Sequence, residues 1–162
     1  MHSDELREKP ESMKLLDDLL SKQRYCVLAT QNDGEPYGSL VAFAVSEDLA
    51  RIVFPTSRST RKFANILSNS RVAILIDNRE NLESDVREAT AVTACGVAEE
   101  AAQEEREAML SLFLVRHPHL REFVFDDGTA LIFVKVKTYY LVTRFQQVLR
   151  LEVTASGLER RP

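Results

Sequence analysis

The stretch 130–143, ALIFVKVKTYYLVT, constrains the fold more than any other part of the chain. It is rich in β-branched and aromatic residues and holds no Gly, Pro, Asn or Asp, so it reads as one uninterrupted strand. Strands usually run about 5–6 residues. One this long is expected to bend or to be shared between two pairings. The pieces before it are about six strands in all with the long one, the early ones joined by tight turns and three helices spread between them. That is not the regular strand–helix alternation of a parallel sheet. A mainly β, mostly antiparallel barrel with helices outside it is the fold class the pattern supports.

In chain order, residues 1–11 are polar and read as a loosely held lead-in. Residues 12–22 read as a helix with Met13, Leu16, Leu19 and Leu20 on one side. A strand over 25–30 runs into Asn32-Asp33-Gly34, a strong hairpin signal. The next strand, 37–45 (YGSLVAFAV), is small or apolar on both faces and is expected to be buried on both. Gly38 and Ser39 within it leave room for a ligand or for tight packing. Further strands are expected over 52–54, 71–76 and 90–98, with Gly96 marking a bulge or a close approach. The charged connection 77–89 is the longest loop-like piece, of a kind that is often functional. A helix over 102–116 stops at His117-Pro118, because the residue before proline is pushed out of helical geometry. Residues 120–125 are apolar and ambiguous. One domain over 12–149 is expected, with a polar tail from Arg150 that frays.

At 162 residues, 44% hydrophobic and 28% charged, the chain is long enough to bury a core without staples. Its net charge of −4 argues against a protein that coats nucleic acid. A small anionic ligand needs only a local basic pocket. No apolar run approaches a membrane span and the N-terminus has no signal core, so the expected compartment is the cytoplasm. Cys26 and Cys95 lie on separate apolar runs without a CxxC partner and read as buried free thiols. His117 and His119 flank Pro118; they either bind a metal or a haem iron, or mark a helix stop with partly exposed rings. Tyr139-Tyr140 either stack on a flat ligand or pack in the core. No arrangement for acid–base or nucleophilic catalysis can be built, so no catalytic residue and no metal site is named. Difficult chemistry, if any, belongs to a bound cofactor.

The densest chemistry lies in 51–67, RIVFPTSRSTRKFANIL. A short strand crosses a hydroxyl-rich turn (Pro55, Thr56, Ser57, Arg58, Ser59, Thr60) into a helix that begins Arg61-Lys62. Phe63, Ile66 and Leu67 have the spacing of one apolar face, and Ser59 is placed to cap the helix. A helix start offers free N–H donors and a partial positive charge. The cluster is either a phosphate site or a capped surface helix with solvated cations.

Four linked pieces together resemble the FMN-binding split-barrel superfamily, the group that includes pyridoxamine-phosphate oxidase. They are YCVLAT with the NDGEP turn, the strand YGSLVAFAV, FPTSRSTRKFANIL followed by NSRVAILI, and TACGVAEE. The resemblance covers roughly residues 15–143 and implies a six-stranded antiparallel Greek-key split β-barrel. It further implies a homodimer with FMN at the subunit interface. Carried over by position, Arg61 and Lys62 match the pair that grips the FMN phosphate, and Thr60 the neighbouring hydroxyl. Pro55, Thr56 and Ser57 match the turn along the ribityl chain and phosphate. Ser39, Leu40 and Val41 match the strand whose backbone edge lies beside the isoalloxazine ring. The loop 77–89 and the strand near 140–145 are implied contacts from the second subunit. Two departures stand out: the chain has no tryptophan, and Thr90-Ala91 stand where the oxidase has a flavin-contacting Gln. The resemblance implies an FMN-dependent oxidoreductase, with haem handling through His117 or His119, or non-catalytic flavin binding in a stress protein, as alternatives.

Overall fold

The computed structural model describes residues 10–144 and 147–162. The long strand is β7 (Thr129–Thr143), and its length is used by sharing. One edge pairs with β6 (Ala91–Glu100). The other edge pairs first with β4 (Arg51–Ser57), from Ser57↔Thr129 to Arg51↔Lys135. It then pairs with β8 (Gln147–Thr154), from Thr138↔Glu152 to Thr143↔Gln147. All ladders are antiparallel. With β1 (Tyr25–Asn32), β2 (Glu35–Ala42), β3 (Ala44–Val45) and β5 (Arg71–Asp77), the sheet order is β2-β1-β5-β6-β7-β4-β3. This is a split barrel whose six main strands are those read from the sequence.

The barrel closes through a single segment. Residues 35–42 pair with β1, and after Phe43 the two residues of β3 pair with β4, Ala44↔Val53 and Val45↔Ile52. Beyond those two residues β2 and β4 are not laddered, so each keeps an open edge. That gap is the split. Phe43 at the break is fully buried, and its N–H donates to the Arg24 carbonyl (3.2 Å).

Inside the barrel Leu28, Ile52, Phe54, Ile74 and Val134 meet Leu16, Leu19 and Leu20 of α1 (Glu11–Lys22). Phe63 and Ile66 of α2 (Arg61–Ser68) join the same core. Leu67 does not: it is 70% exposed, because the buried face of α2 runs through Phe63, Asn65 and Ile66 instead. The buried Asn65 amide is satisfied by donating to Thr30 Oγ1 (3.0 Å). A second cluster forms where α4 (Gln103–Arg116) and α5 (Arg121–Phe125) cover the outside of β4 and β7, with Met109, Phe113 and Val124 against Val53, Leu131 and Phe133. This double cover explains the continuous apolar runs of β4 and of the first half of β7. Tyr139 is core, its hydroxyl donating to the Leu49 carbonyl (2.6 Å), whereas Tyr140 alternates to the outer face.

Three further expectations are corrected. Strand 37–45 is not buried on both sides; β2 is an edge strand, and Leu40 is 72% exposed. The residues from Arg150 onward do not fray: β8 and β9 (Gly157–Arg161) form a hairpin. The polar count hid the alternation of Leu149, Leu151 and Val153, which pack on the core. The connection 77–89 is organised rather than irregular. It contains the turn α3 (Asp85–Glu88), and the Asp85 carboxylate accepts from the N–H groups of Glu80 and Leu82. Its ends are tied where the Thr90 N–H donates to Asn78 Oδ1 (2.7 Å).

Candidate functional site

β4 ends at Ser57, and the chain turns at once into α2, so the two strand-end hydroxyls and the first helical turn are neighbours. Thr60, not Ser59, is the N-cap: its Oγ1 accepts from the Phe63 N–H (3.4 Å) and donates to the Ser57 carbonyl (2.8 Å). Thr56 and Thr60 share a hydroxyl contact of 3.0 Å. Ser59 instead pairs with Ser57 (2.9 Å). The extended backbone of Thr60 (φ −85°, ψ 152°) is what a cap requires, and Ser59 lies one residue too early.

The cations of the turn divide into two kinds. Arg58 is committed, since its guanidinium forks onto the Glu100 carboxylate, Nη1 to Oε2 at 3.0 Å, and holds that carboxyl below its usual range. It leaves the set of candidate phosphate ligands. Arg61 and Lys62 make no ion pair with any described carboxylate. Arg61 is exposed and rests over the Tyr37 ring (5.0 Å), which ties the start of α2 across the split to β2. Nothing in the sequence spacing flags Tyr37, because the contact exists only once β2 and α2 are brought together.

The remaining nominated residues line the two open edges. Pro55 and Thr56 are buried on β4 beyond its two-residue pairing with β3, where a strand edge tolerates a residue without an N–H. On β2, Ser39 and Val41 pair with Leu28 and Cys26 on the inner face, and Leu40 pairs with Val27 on the outer face. Ser39 Oγ is buried without a hydrogen-bond partner. A buried hydroxyl left unpaired costs roughly 1–3 kcal/mol, so a polar ligand atom at this edge would relieve it. Gly38 is not crowded, the nearest atom to an added Cβ being Val27 Cγ1 at 3.8 Å. Close packing within the chain is therefore not the reason for Gly38. The hydroxyl cradle, two cations without a described carboxylate partner, an orphaned hydroxyl and two open edges fit a phosphorylated flat ligand. Of the segments implied as second-subunit contacts, 140–143 lies at the far end of β7 from Ser57, whereas Asp77 and Arg79 line a small cavity together with Leu40; Phe145 is outside the described residues.

The histidines do not behave as an exposed pair. His117 is fully buried; its Nε2 is 2.8 Å from the Phe43 carbonyl, to which it donates, and its ring stacks on Phe113 (4.7 Å between centroids). It is not open to a haem iron. His119 is exposed. Burial holds the pKa of His117 down, aided by the neighbouring Arg116, His119 and Arg24 charges and opposed by the bond to Phe43. The folded ring therefore resists a proton that the unfolded chain accepts below about pH 6.5. Stability should be fully present above that pH and fall as the pH drops. His117→Gln, which keeps a donor and loses the titration, should show a smaller fall in urea midpoint between about pH 7.5 and 5. An equal fall in both proteins would remove His117 as the cause.

Cys26 is buried, its thiol pushed up to about 12, and the half-buried Cys95 is raised by the same desolvation. Neither is a reactive thiolate. Among the described residues no three His, Cys, Asp or Glu side chains are grouped to hold a metal, and no helix is long and apolar enough to cross a membrane.

The family model of pyridoxamine 5'-phosphate oxidase matches residues 13–122, more than half of the chain. No curated protein matches the sequence. Solved structures do match the fold. A heme binding protein from Mycobacterium smegmatis aligns at TM-score 0.79 and 17% identity, covering 89% of this chain and 59% of that one. A FAD-binding protein from Mesorhizobium loti aligns at TM-score 0.61 and 17% identity, covering 76% and 88%. General Stress Protein 26 from Bacillus anthracis aligns at TM-score 0.63 and 18% identity, covering 85% and 97%. The chain spans about three fifths of the M. smegmatis protein. With the strand order, the split between β2 and β4 and the match over 13–122, this chain belongs to the pyridoxamine 5'-phosphate oxidase family.

Proposed function

We propose that this chain is an FMN-binding flavoprotein and oxidoreductase, working as a homodimer in the cytoplasm with the cofactor at the subunit interface. The observation that carries this reading is the pair Arg61 and Lys62, free of carboxylates, beside the Thr56 and Thr60 hydroxyls at the mouth of the split. Arg61 and Lys62 would hold the phosphate, Thr56 and Ser57 would donate to it beside Thr60, which holds the turn, Pro55 would line the same turn, and the β2 edge at Ser39, Leu40 and Val41 would lie along the ring. When bound, the flavin supplies hydride or electron transfer; the chain supplies the anion grip and a dry, flat slot.

The dimer is supported by an uncovered face. Tyr25, Leu40, Leu75, Tyr140 and Val148 are exposed, and the registers Val27↔Leu40, Val27↔Leu75 and Val142↔Val148 place this apolar surface on the outside of the sheet. Exposed apolar surface of this extent on one face marks an interaction site.

The absorption spectrum of the purified protein, followed by titration with FMN, tests the reading. Flavin bands, with quenched FMN fluorescence on binding, are expected; protein that leaves added FMN fluorescence unchanged would sink it. Turnover with a nicotinamide cofactor then separates an oxidoreductase from a flavin-holding stress protein. Haem binding is the second reading, favoured by the exposed ring of His119. It requires a Soret band on adding haem that His119→Ala abolishes.

A further inference from the structure

A cavity of about 890 Å3 lies at the end of β7 away from Ser57 and Thr60; it touches none of the residues assigned to this chain's own grip on the flavin, and it borders the segments 77–89 and 140–144 that the resemblance implies as contacts from the second subunit. It opens between the first turn of α1, α3 and the β7–β8 end of the sheet. Leu15, Leu141 and Leu149 form its apolar wall. Arg87 of α3, Arg144 at the end of β7 and Arg160 of β9 reach it from three separate elements. Among the described residues ten other arginine side chains are engaged: Arg51, Arg58, Arg79, Arg150 and Arg161 with carboxylates, Arg24, Arg106 and Arg116 with carbonyls, Arg61 and Arg121 over rings. Among the described residues only Arg71 and these three have no such partner, and three of those four border one cavity. Glu11 and Glu88 also line it, so three arginines against two carboxylates leave one positive charge on the walls of a chain whose net charge is −4.

We propose that this cavity binds an organic carboxylate with an apolar body. Its volume lies within the range of roughly 300–1,000 Å3 usual for small-molecule sites. Guanidiniums left unpaired around one space repel each other, and a carboxylate relieves that repulsion while offering two oxygens to the guanidinium fork. The leucine wall takes the apolar body out of water. A single excess charge matches a monoanion. Because the cavity borders segments implied to reach a partner's flavin, its test runs on flavin-free protein, where failure of either assignment leaves the other standing.

Decanoate is the probe, titrated calorimetrically into the full chain, with decyltrimethylammonium as the same tail bearing the opposite charge. Saturable binding of one decanoate per chain is expected, with much weaker binding of the cation. The exposed pair Arg144→Gln, Arg160→Gln should weaken decanoate binding tenfold or more. Arg150→Gln, which removes an equal charge from a carboxylate-paired site on the same hairpin, should leave it unchanged. If the double variant is poorly folded, Arg87→Gln alone should weaken binding at least threefold. No saturable heat with decanoate, equal binding of the cation, or affinity untouched by the arginine variants would overturn the proposal.

Discussion

The Arg61→Ala, Lys62→Ala double variant is expected to bind FMN about a hundredfold more weakly than the parent in a fluorescence titration. A charge-assisted hydrogen bond to phosphate contributes roughly 1.5–3 kcal/mol. Arg61 is exposed and Lys62 half-buried, so screening by water places each near the lower end of that range. Two such losses make about 3 kcal/mol, or two orders of magnitude in Kd. Riboflavin, which lacks the phosphate, should bind both proteins alike. Arg58→Ala is the internal contrast: its guanidinium already belongs to Glu100, so FMN affinity should fall less than about threefold. A double variant with the parent's FMN affinity would mean that the cradle at the start of α2 holds something else, or nothing.

Gly96→Ala should be the most damaging single methyl in the sheet. An added Cβ would sit 2.2 Å from the Lys135 carbonyl oxygen and 2.9 Å from its carbon, and both are backbone atoms of the strand that anchors the barrel. They cannot swing aside as the end of a side chain could. Gly96 also sits where the β6–β7 register shifts, with Cys95 opposite Thr138 and Gly96 opposite Val136. A bulge needs close backbone approach on its inner side. Overpacking usually costs about 1–3 kcal/mol; with no soft neighbour the cost should lie near 3. For a chain of this size that lowers Tm by roughly 6–12 °C, measurable by calorimetry. Gly38→Ala, with 3.8 Å of clearance, should leave Tm within about 2 °C. Similar Tm losses at the two positions would show that the bulge is not what makes Gly96 necessary.

The two glycines show how far local pattern reaches. A glycine inside a strand signals a bulge or an approach, and at position 96 the structure supplies both. At position 38 the same signal has no crowding behind it. The sequence cannot tell these apart, because the atom that would clash lies on a strand distant in the chain. The cap was misread by one residue for a similar reason: Ser59 and Thr60 have equivalent hydroxyls, and only the backbone dihedrals choose between them. Arg58 was legible as a cation but not as one already bound to Glu100. His117 was legible as a helix stop, yet its burial against Phe113 and its bond to the Phe43 carbonyl arise from packing between elements. The tail was misjudged because charged residues outnumber its leucines, while strand pairing responds to alternation rather than to mean polarity.

Residue order and period alone determined where the six main strands lie, that they pair mostly antiparallel, and that one strand is long enough to be shared between two pairings. They also placed the strand–hydroxyl turn–cation–helix sequence on which the functional reading turns. Those are local properties, fixed by side-chain periodicity and turn chemistry within a few residues. Only the tertiary structure decided which edges stay open, which cations remain free, and where three unpaired arginines surround one cavity. Such outcomes depend on what lies opposite a side chain in space, and that is set when distant strands close the barrel.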